Sequence, residues 1–211
     1  STSAPPPPPP PAPAAPPAAS APGPVAEAQE SEDGPLSPLV RKMAREFGID
    51  LKQANHNVIR ENRISSKPFD LGVRGDGLRL WYSTGNRIEN NDIAQIRDIT
   101  VTNSPRNRFT GNTIRDSRRA FNFLFAHRSL VDRNHLEQNS TGIIALNSDG
   151  LIIRNNRILH AMDASGAGIA LKETSAALVI GNEIVHCAHG IMADSPMNPL
   201  NRIVFIDNFV A

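Results

Sequence analysis

Residues 111–158 read GNTIRDSRRAFNFLFAHRSLVDRNHLEQNSTGIIALNSDGLIIRNNRI. Within this stretch Asn112, Asn134 and Asn156 stand 22 residues apart, and each is followed two residues later by an apolar side chain, Ile114, Leu136 and Ile158. The pairing continues outward, as Asn62/Ile64 and Asn91/Ile93 before it and Asn182/Ile184 and Asn208/Val210 after it, at steps of 29, 21, 26 and 26 residues. Three residues ahead of each asparagine sits another apolar residue: Ile59, Ile88, Phe109, Val131, Ile153, Val179 and Phe205. A fixed grammar with this period is the signature of a solenoid, in which each unit buries its apolar face only by stacking on its neighbours.

A second series runs in phase. Gly77, Asp98, Ala120, Gly142, Gly168 and Gly190 open apolar strands, and the first five each lie 14 residues before the next ladder asparagine. In the last unit the distance is 18, because residues 195–200 insert four positions. After the openers, Leu78/Leu80, Ile99/Val101, Phe121/Phe123, Ile143/Ala145, Ile169/Leu171 and Ile191/Ala193 share one parity, hence one face of a strand. The pieces are short and rich in Val, Ile and Phe, with no sustained 3.6-residue period. That favours strands over helical hairpins or leucine-rich units. The expected fold is all-β: a right-handed parallel β-helix over residues 54–211, of about six to seven coils, ending part-way through a coil. Like positions then stack at ~4.8 Å. The asparagines Asn62, Asn91, Asn112, Asn134, Asn156, Asn182 and Asn208 are therefore expected to form a structural amide ladder that satisfies buried turn groups.

Composition excludes several classes. The net charge of +1 gives no bulk electrostatic ground for a nucleic-acid partner. The single Cys187 rules out an internal disulfide framework. No run approaches the ~18–20 apolar residues that span a bilayer, so the chain is read as not membrane-spanning. It opens Ser1-Thr2-Ser3, without a signal segment. Fourteen of its 18 prolines fall in residues 1–38, and residues 25–36 add Glu27, Glu30, Glu32 and Asp33 without a basic residue. Residues 1–36 are accordingly expected to be a disordered Pro/Ala-rich linker. Residues 37–52 follow as one short α-helix. Ser37 is a good N-cap, Pro38 suits the first turn, and Val40, Met43, Ala44 and Phe47 form one apolar stripe. Gly48 is the expected stop, with Ile49 packing back.

Two resemblances attach to these segments. The string PLVRKMAREFGIDL, at residues 38–51 after its Ala/Pro-rich linker, resembles the first helix of the peripheral-subunit-binding domain of 2-oxo-acid dehydrogenase acyltransferases. That resemblance implies docking of a dihydrolipoamide dehydrogenase through Arg41, with Lys42 and Arg45 beside it. No second half of that domain follows Leu51, and the change near Gln53 joins two families not normally joined, as in a chimera. Residues 54–211 resemble the NosD-type periplasmic β-helix proteins. The resemblance is carried by RISSKPFDLGVRGDGLRLWYSTGNRIENNDI, RNRFTGNTIRDSRRAFNFLFAHRSLVDRN, GIALKETSAALVIGNEI and HCAHGIMADSP. It implies a periplasmic role in maturation of the copper enzyme nitrous oxide reductase, with that enzyme or its membrane transporter as partner.

Chemistry must then sit on outward positions. Two residues after the openers stand Arg79, Thr100, Asn122, Ile144, Ala170 and Met192, and four after stand Trp81, Thr102, Leu124, Leu146, Lys172 and Asp194. The apolar part of this stripe, with Trp81, Leu124, Ile144 and Leu146, reads as a partner surface or as one covered by another segment. Carboxylates paired on neighbouring coils, which sugar-cleaving chemistry requires, are absent. Only Lys172, Asp194 and Glu173 come together, and the lower coils offer a mixed cluster of Arg74, Asp76, Arg79, Arg97 and Asp98, read as ion pairs. No catalytic residue is assigned. His160 and His186 each lie four residues past a ladder asparagine and should stack; Cys187, His189 and Met192 are close in sequence, and two insertions add Met162 and Met197. Cys, His and Met suit copper(I), against the simpler reading of a buried thiol and stacked imidazoles. Three functions remain: a non-enzymatic scaffold for copper-enzyme maturation, a carbohydrate-active β-helix acting on or binding a polysaccharide, and an acyltransferase-derived docking segment.

Overall fold

The structure is a computed structural model that describes residues 48–66, 70–196, 198 and 200–211. The linker and nearly all of the expected helix, including Arg41, lie outside the described residues, as does Met197. The described chain winds through three parallel sheets of seven strands each. The first sheet contains Ile49–Lys52, Leu78–Trp81, Asp98–Thr102, Arg119–Leu124, Thr141–Leu146, Ala167–Lys172 and His189–Asp194. The second and third sheets are built from strands of two or three residues; one coil contributes Arg108–Thr110 and Thr113–Arg115. Every strand pairs in parallel with its counterpart one coil away, so the fold is the all-β parallel solenoid expected. Among the described residues the only helix is a single turn at Leu71–Val73.

The end of the expected helix is corrected. Ile49–Lys52 is a strand, in register with Leu78–Trp81. Gly48 has φ of 75°, and a Cβ there would strike the Gly77 carbonyl, so only glycine makes this entry into the first coil. The apolar alternation of Ile49 and Leu51 matches the inward positions Leu78 and Leu80. Pairing with Leu78–Trp81 thus claims the last four residues of the expected helix segment, past its Gly48 stop.

The inward parity of the first sheet fills the solenoid. Leu78, Leu80, Ile99, Val101, Phe121, Phe123, Ile143, Ala145, Ile169 and Leu171 are buried. They meet the residues flanking the ladder, Ile88, Phe109, Val131, Ile153 and Val179 on one side and Ile93, Ile114, Leu136, Ile158 and Ile184 on the other, all buried. Phe109, Phe121 and Phe123 form an aromatic cluster with ring centroids 5.2–5.8 Å apart. Gly142 is an opener because there is no room: a Cβ there would lie 2.5 Å from the Gly168 carbonyl oxygen and 2.7 Å from Ile158. Asp98 breaks that rule. It is buried, and Arg118 clamps its carboxylate from the next coil, which also raises the Arg118 pKa. The register shifts beside it, between Arg119 and Asn122, as a bulge.

Each full coil turns at left-handed corners. One follows the first sheet (Tyr82, Asn103, Phe125, Asn147, Glu173), one joins the second and third sheets (Asn90, Gly111, Arg133, Asn155, Gly181), and one follows the third (Gln95, Asp116, Gln138, His160, His186). A further left-handed turn precedes the second sheet, at His56, Gly85, Arg106, Arg128, Gly150 and Ala176. Few residue types favour this conformation. Hydrogen bonds from each corner N–H to the carbonyl one coil on hold it, as from Asn90 to Thr110 at 3.0 Å and from His160 to Val185 at 3.0 Å.

Candidate functional site

The asparagine corner is occupied by its own structure. Asn134 Nδ2 donates to the Phe109 carbonyl at 3.0 Å and to Asn156 Oδ1 at 2.9 Å, while its Oδ1 accepts the Asn112 N–H and Nδ2, both at 2.9 Å. The same side-chain link runs unbroken from Asn62 through Asn91, Asn112, Asn134, Asn156 and Asn182 to Asn208. A shorter second ladder, Asn57 to Asn86 to Asn107, stands five residues ahead of the first and ends on Ser129 Oγ. Its spacing is visible in the sequence, yet it was not among the features singled out there.

The outer face of the first sheet carries the two rows read from the sequence. In register they run Arg79, Thr100, Asn122, Ile144, Ala170, Met192 and, beside them, Trp81, Thr102, Leu124, Leu146, Lys172, Asp194. Trp81, Leu124, Ile144 and Leu146 are all half-buried on this face. The Arg79 guanidinium lies 5.1 Å from the centre of the Trp81 ring. One residue further on, at the left-handed corner, Tyr82 is 54% exposed and Phe125 43% exposed. Tyr82 meets Trp81 edge-on at 5.8 Å. Asn103 lies on the coil between Tyr82 and Phe125; above them Asn147 Nδ2 donates to Glu173 at 2.9 Å. A bulky aromatic side chain in this conformation is uncommon. The two aromatics occupy the fifth position after the opener, one step outside the parity from which the surface was first read.

The lower mixed-charge cluster is held by ion pairs and hydrogen bonds. Arg97 binds Asp76 at 2.9 Å, Thr100 donates to the same carboxylate at 3.0 Å, and Arg74 donates to the Asp116 carbonyl at 2.7 Å. Lys172 and Asp194 are neighbours in register, with Ser195 donating to Asp194 at 2.7 Å.

The five soft-donor residues divide. His160 and His186 occupy the corner after the third sheet on adjacent coils, and their rings stack at 5.2 Å with 30° between planes. Both are exposed, and His160 borders an open depression lined by Gln138, Asn139, Ser140, Met162 and Asp163. Cys187 turns the other way. Its thiol packs against the core and points at the Val185 and Ile158 carbonyls, at 3.6 and 4.0 Å, and burial pushes its pKa up. His189 opens the last first-sheet strand, with Nδ1 3.2 Å from the Gly166 carbonyl, and Met192 lies on the outer face beside Ala170. Among the described residues no three His, Cys, Asp or Glu side chains converge as for a metal ion. The donor set brought together is two imidazoles, with the Met162 thioether on the neighbouring rim.

The sequence profile of NosD, described as a periplasmic copper-binding protein, matches residues 62–209. This chain belongs to the NosD family. The match begins on the first ladder asparagine and ends one residue past the last, so family and solenoid coincide. A second profile, the e3 binding domain, matches residues 35–55. Ile49–Lys52, inside that match, is spent on the first coil of the NosD solenoid. Among solved structures, the A-module of the Azotobacter vinelandii mannuronan C-5 epimerase AlgE4 is similar at 15% identity and a TM-score of 0.32. That likeness covers 74% of this chain and 54% of that one, so the chain spans about half of its length. No curated protein matches. No described helix is long and apolar enough to cross a membrane. Two neighbouring imidazoles and a thioether are donors of the kind that suit copper(I).

Proposed function

We propose that the protein is a non-enzymatic periplasmic scaffold that assists copper loading or maturation of a copper enzyme such as nitrous oxide reductase. It would contact that enzyme or its membrane transporter through the outer face of the first sheet, with copper(I) as cargo at the His160/His186 corner. The observation that supports this most is the stacked imidazole pair within a chain of a copper-binding family. Imidazole is a ligand that copper accepts readily, and two on adjacent coils hold an ion without the deep cage that would prevent release. Cys187 is left out of this site because its thiol faces inward, toward the Val185 carbonyl. The half-buried Leu124, Ile144 and Leu146 provide the apolar centre of the partner surface.

The test is an anaerobic copper(I) competition titration on the full chain beside His160→Ala/His186→Ala and Cys187→Ser. One-to-one binding lost in the double histidine variant and kept in Cys187→Ser is the expected result. Equal binding by all three, or none by the parent, overturns the copper site. Ile144→Asp and Leu146→Asp are expected to abolish capture of the copper enzyme or its transporter.

A second reading rests on a separate observation. Exposed Tyr82 and Phe125 with Asn103 between them provide aromatic platforms flanked by amides, an arrangement that takes sugar rings. Uronate polymer turnover or binding, abolished at Arg79, Lys172 or Asp194, would favour that carbohydrate-directed function. The docking reading depends on Arg41 and predicts binding of a dihydrolipoamide dehydrogenase, lost in Arg41→Ala.

A further inference from the structure

The outer row of the second sheet changes character along the solenoid. In register it runs Arg87, Arg108, Leu130, Ile152, Leu178, Val204. Arg106 and Arg128, at the left-handed turn on the coils of Arg108 and Leu130, stand two residues before those positions, with buried Asn107 and Ser129 between. All four arginines are exposed. The upper part is apolar and accessible: Ile152 is 39% and Val204 42% exposed, and Ile180 and Ile206 extend the patch sideways.

Arg106, Arg108 and Arg128 differ from most other arginines in the solenoid. Arg63, Arg97, Arg115, Arg118, Arg119, Arg133, Arg154 and Arg157 each face a carboxylate. Arg106, Arg108 and Arg128 have no ion-pair partner among the described residues, although all three lie on two adjacent coils. The carboxylates around them are engaged elsewhere. Glu89 holds Arg87, Asp132 is bound by Arg133 and Arg154, and Asp149 accepts the Ser175 N–H. Like charges gathered on one corner create a local positive potential that attracts an anionic partner.

We propose that this strip is a docking site for an acidic protein segment whose carboxylates meet Arg106, Arg108 and Arg128 and whose adjoining apolar residues lie on Leu130, Ile152, Leu178 and Val204. Charge complementarity calls for the acid, and the apolar continuation selects among acids. A nucleic acid or a polyuronate satisfies the arginines and leaves the apolar row uncovered. Four coil steps of ~4.8 Å, from the coil of Arg108 to that of Val204, make the strip about 19 Å long, which an extended segment covers with about six residues. The segment runs along the solenoid axis, across the strands, so it is read by side chains alone. This surface lies on a different sheet from the first-sheet contact proposed above and does not depend on it.

The test uses the full chain and three synthetic probes: hexaglutamate, hexaglutamate extended by Leu-Val-Leu-Val, and vesicles containing phosphatidylglycerol. The extended peptide is expected to bind roughly tenfold more tightly than hexaglutamate, and to weaken at least about tenfold in Arg106→Gln/Arg108→Gln/Arg128→Gln or at raised salt. Ile152→Asp is expected to remove the advantage of the extension while leaving hexaglutamate binding unchanged. All substituted residues are exposed, so the variants keep the fold, which matching thermal unfolding verifies. Equal binding of the two peptides, no loss in the triple variant, or retention of the vesicles alone overturns the proposal.

Discussion

The corner between the second and third sheets and the corner after the third share one backbone conformation, left-handed, once per coil. Around the first the ladder asparagines point inward and hardly vary; at the second the residues are Gln95, Asp116, Gln138, His160 and His186. The backbone does not account for that difference. The ladder amide must be both donor and acceptor, because the N–H one coil below and the carbonyl beside it have no water to turn to. Only asparagine meets both demands at that reach. Past the third sheet the side chain faces solvent and the backbone satisfies itself from coil to coil, so residue type is free to carry chemistry. Repetition marks what the solenoid needs, and departure from it marks what the solenoid offers.

The sharpest way to break the contrast is Asn134→Ala. It strands the Asn112 N–H in a dry interior and takes one donor from the Phe109 carbonyl. The expected loss is about 2–4 kcal/mol, since a buried group without a partner forfeits its full desolvation term. A urea unfolding midpoint measures it. His160→Ala on the exposed corner is expected to stay within about 0.5 kcal/mol of the parent in the same experiment. Equal losses at the two corners would show that the ladder is not what sets them apart.

Gly142→Val tests the packing side of the same logic. The new side chain must displace the Gly168 carbonyl or the Ile158 side chain, and overpacking of this kind costs about 1–3 kcal/mol. The cost should appear in the same midpoint shift. A third variant, His186→Asn, places a residue that favours left-handed turns at the exposed corner. Stability should change by no more than about 0.5 kcal/mol, while copper(I) affinity falls to the level of the double histidine variant.

These contrasts also explain what was legible in the sequence. The solenoid, the strand parity and the asparagine ladder were readable because each is forced once per coil, and a period exposes whatever is forced. Ile49–Lys52 was misassigned because four residues of one strand repeat nothing locally; only the register with Leu78–Trp81 defines them. The histidine pair was anticipated from equal offsets to the ladder, and it does stack. Cys187 is the instructive neighbour. One residue past His186 the chain has left its corner, and the thiol enters the interior instead of joining the imidazoles. Tyr82, Phe125 and the arginine strip escaped notice because they belong to turns and to the second sheet, whereas the surface was sought on the first.

The smallest expected effect concerns the third sheet's outer face, where Asp92 sits between Arg63 and Arg115 on neighbouring coils. The hydrogen bond from Arg115 holds the Asp92 carboxyl below the usual carboxylate range; burial opposes it, and the charges of Arg115 and Arg63 add to the lowering. A folded pKa below the unfolded one means that the unfolded chain takes up the proton first. The stabilisation is therefore complete above the unfolded value of about 3.9 and is lost as pH falls through the lower folded value. Asp92 is 42% exposed, so solvent screening limits the contribution to a few tenths of a kcal/mol. Asp92→Asn should lower stability by that amount near neutral pH, and its unfolding curve should converge with the parent's as acid titrates the wild-type carboxylate. The ladder amides carry no titratable proton, so Asn134→Ala should keep its full deficit across the same pH range, and a deficit that closed with acid would place a carboxylate within the ladder's reach.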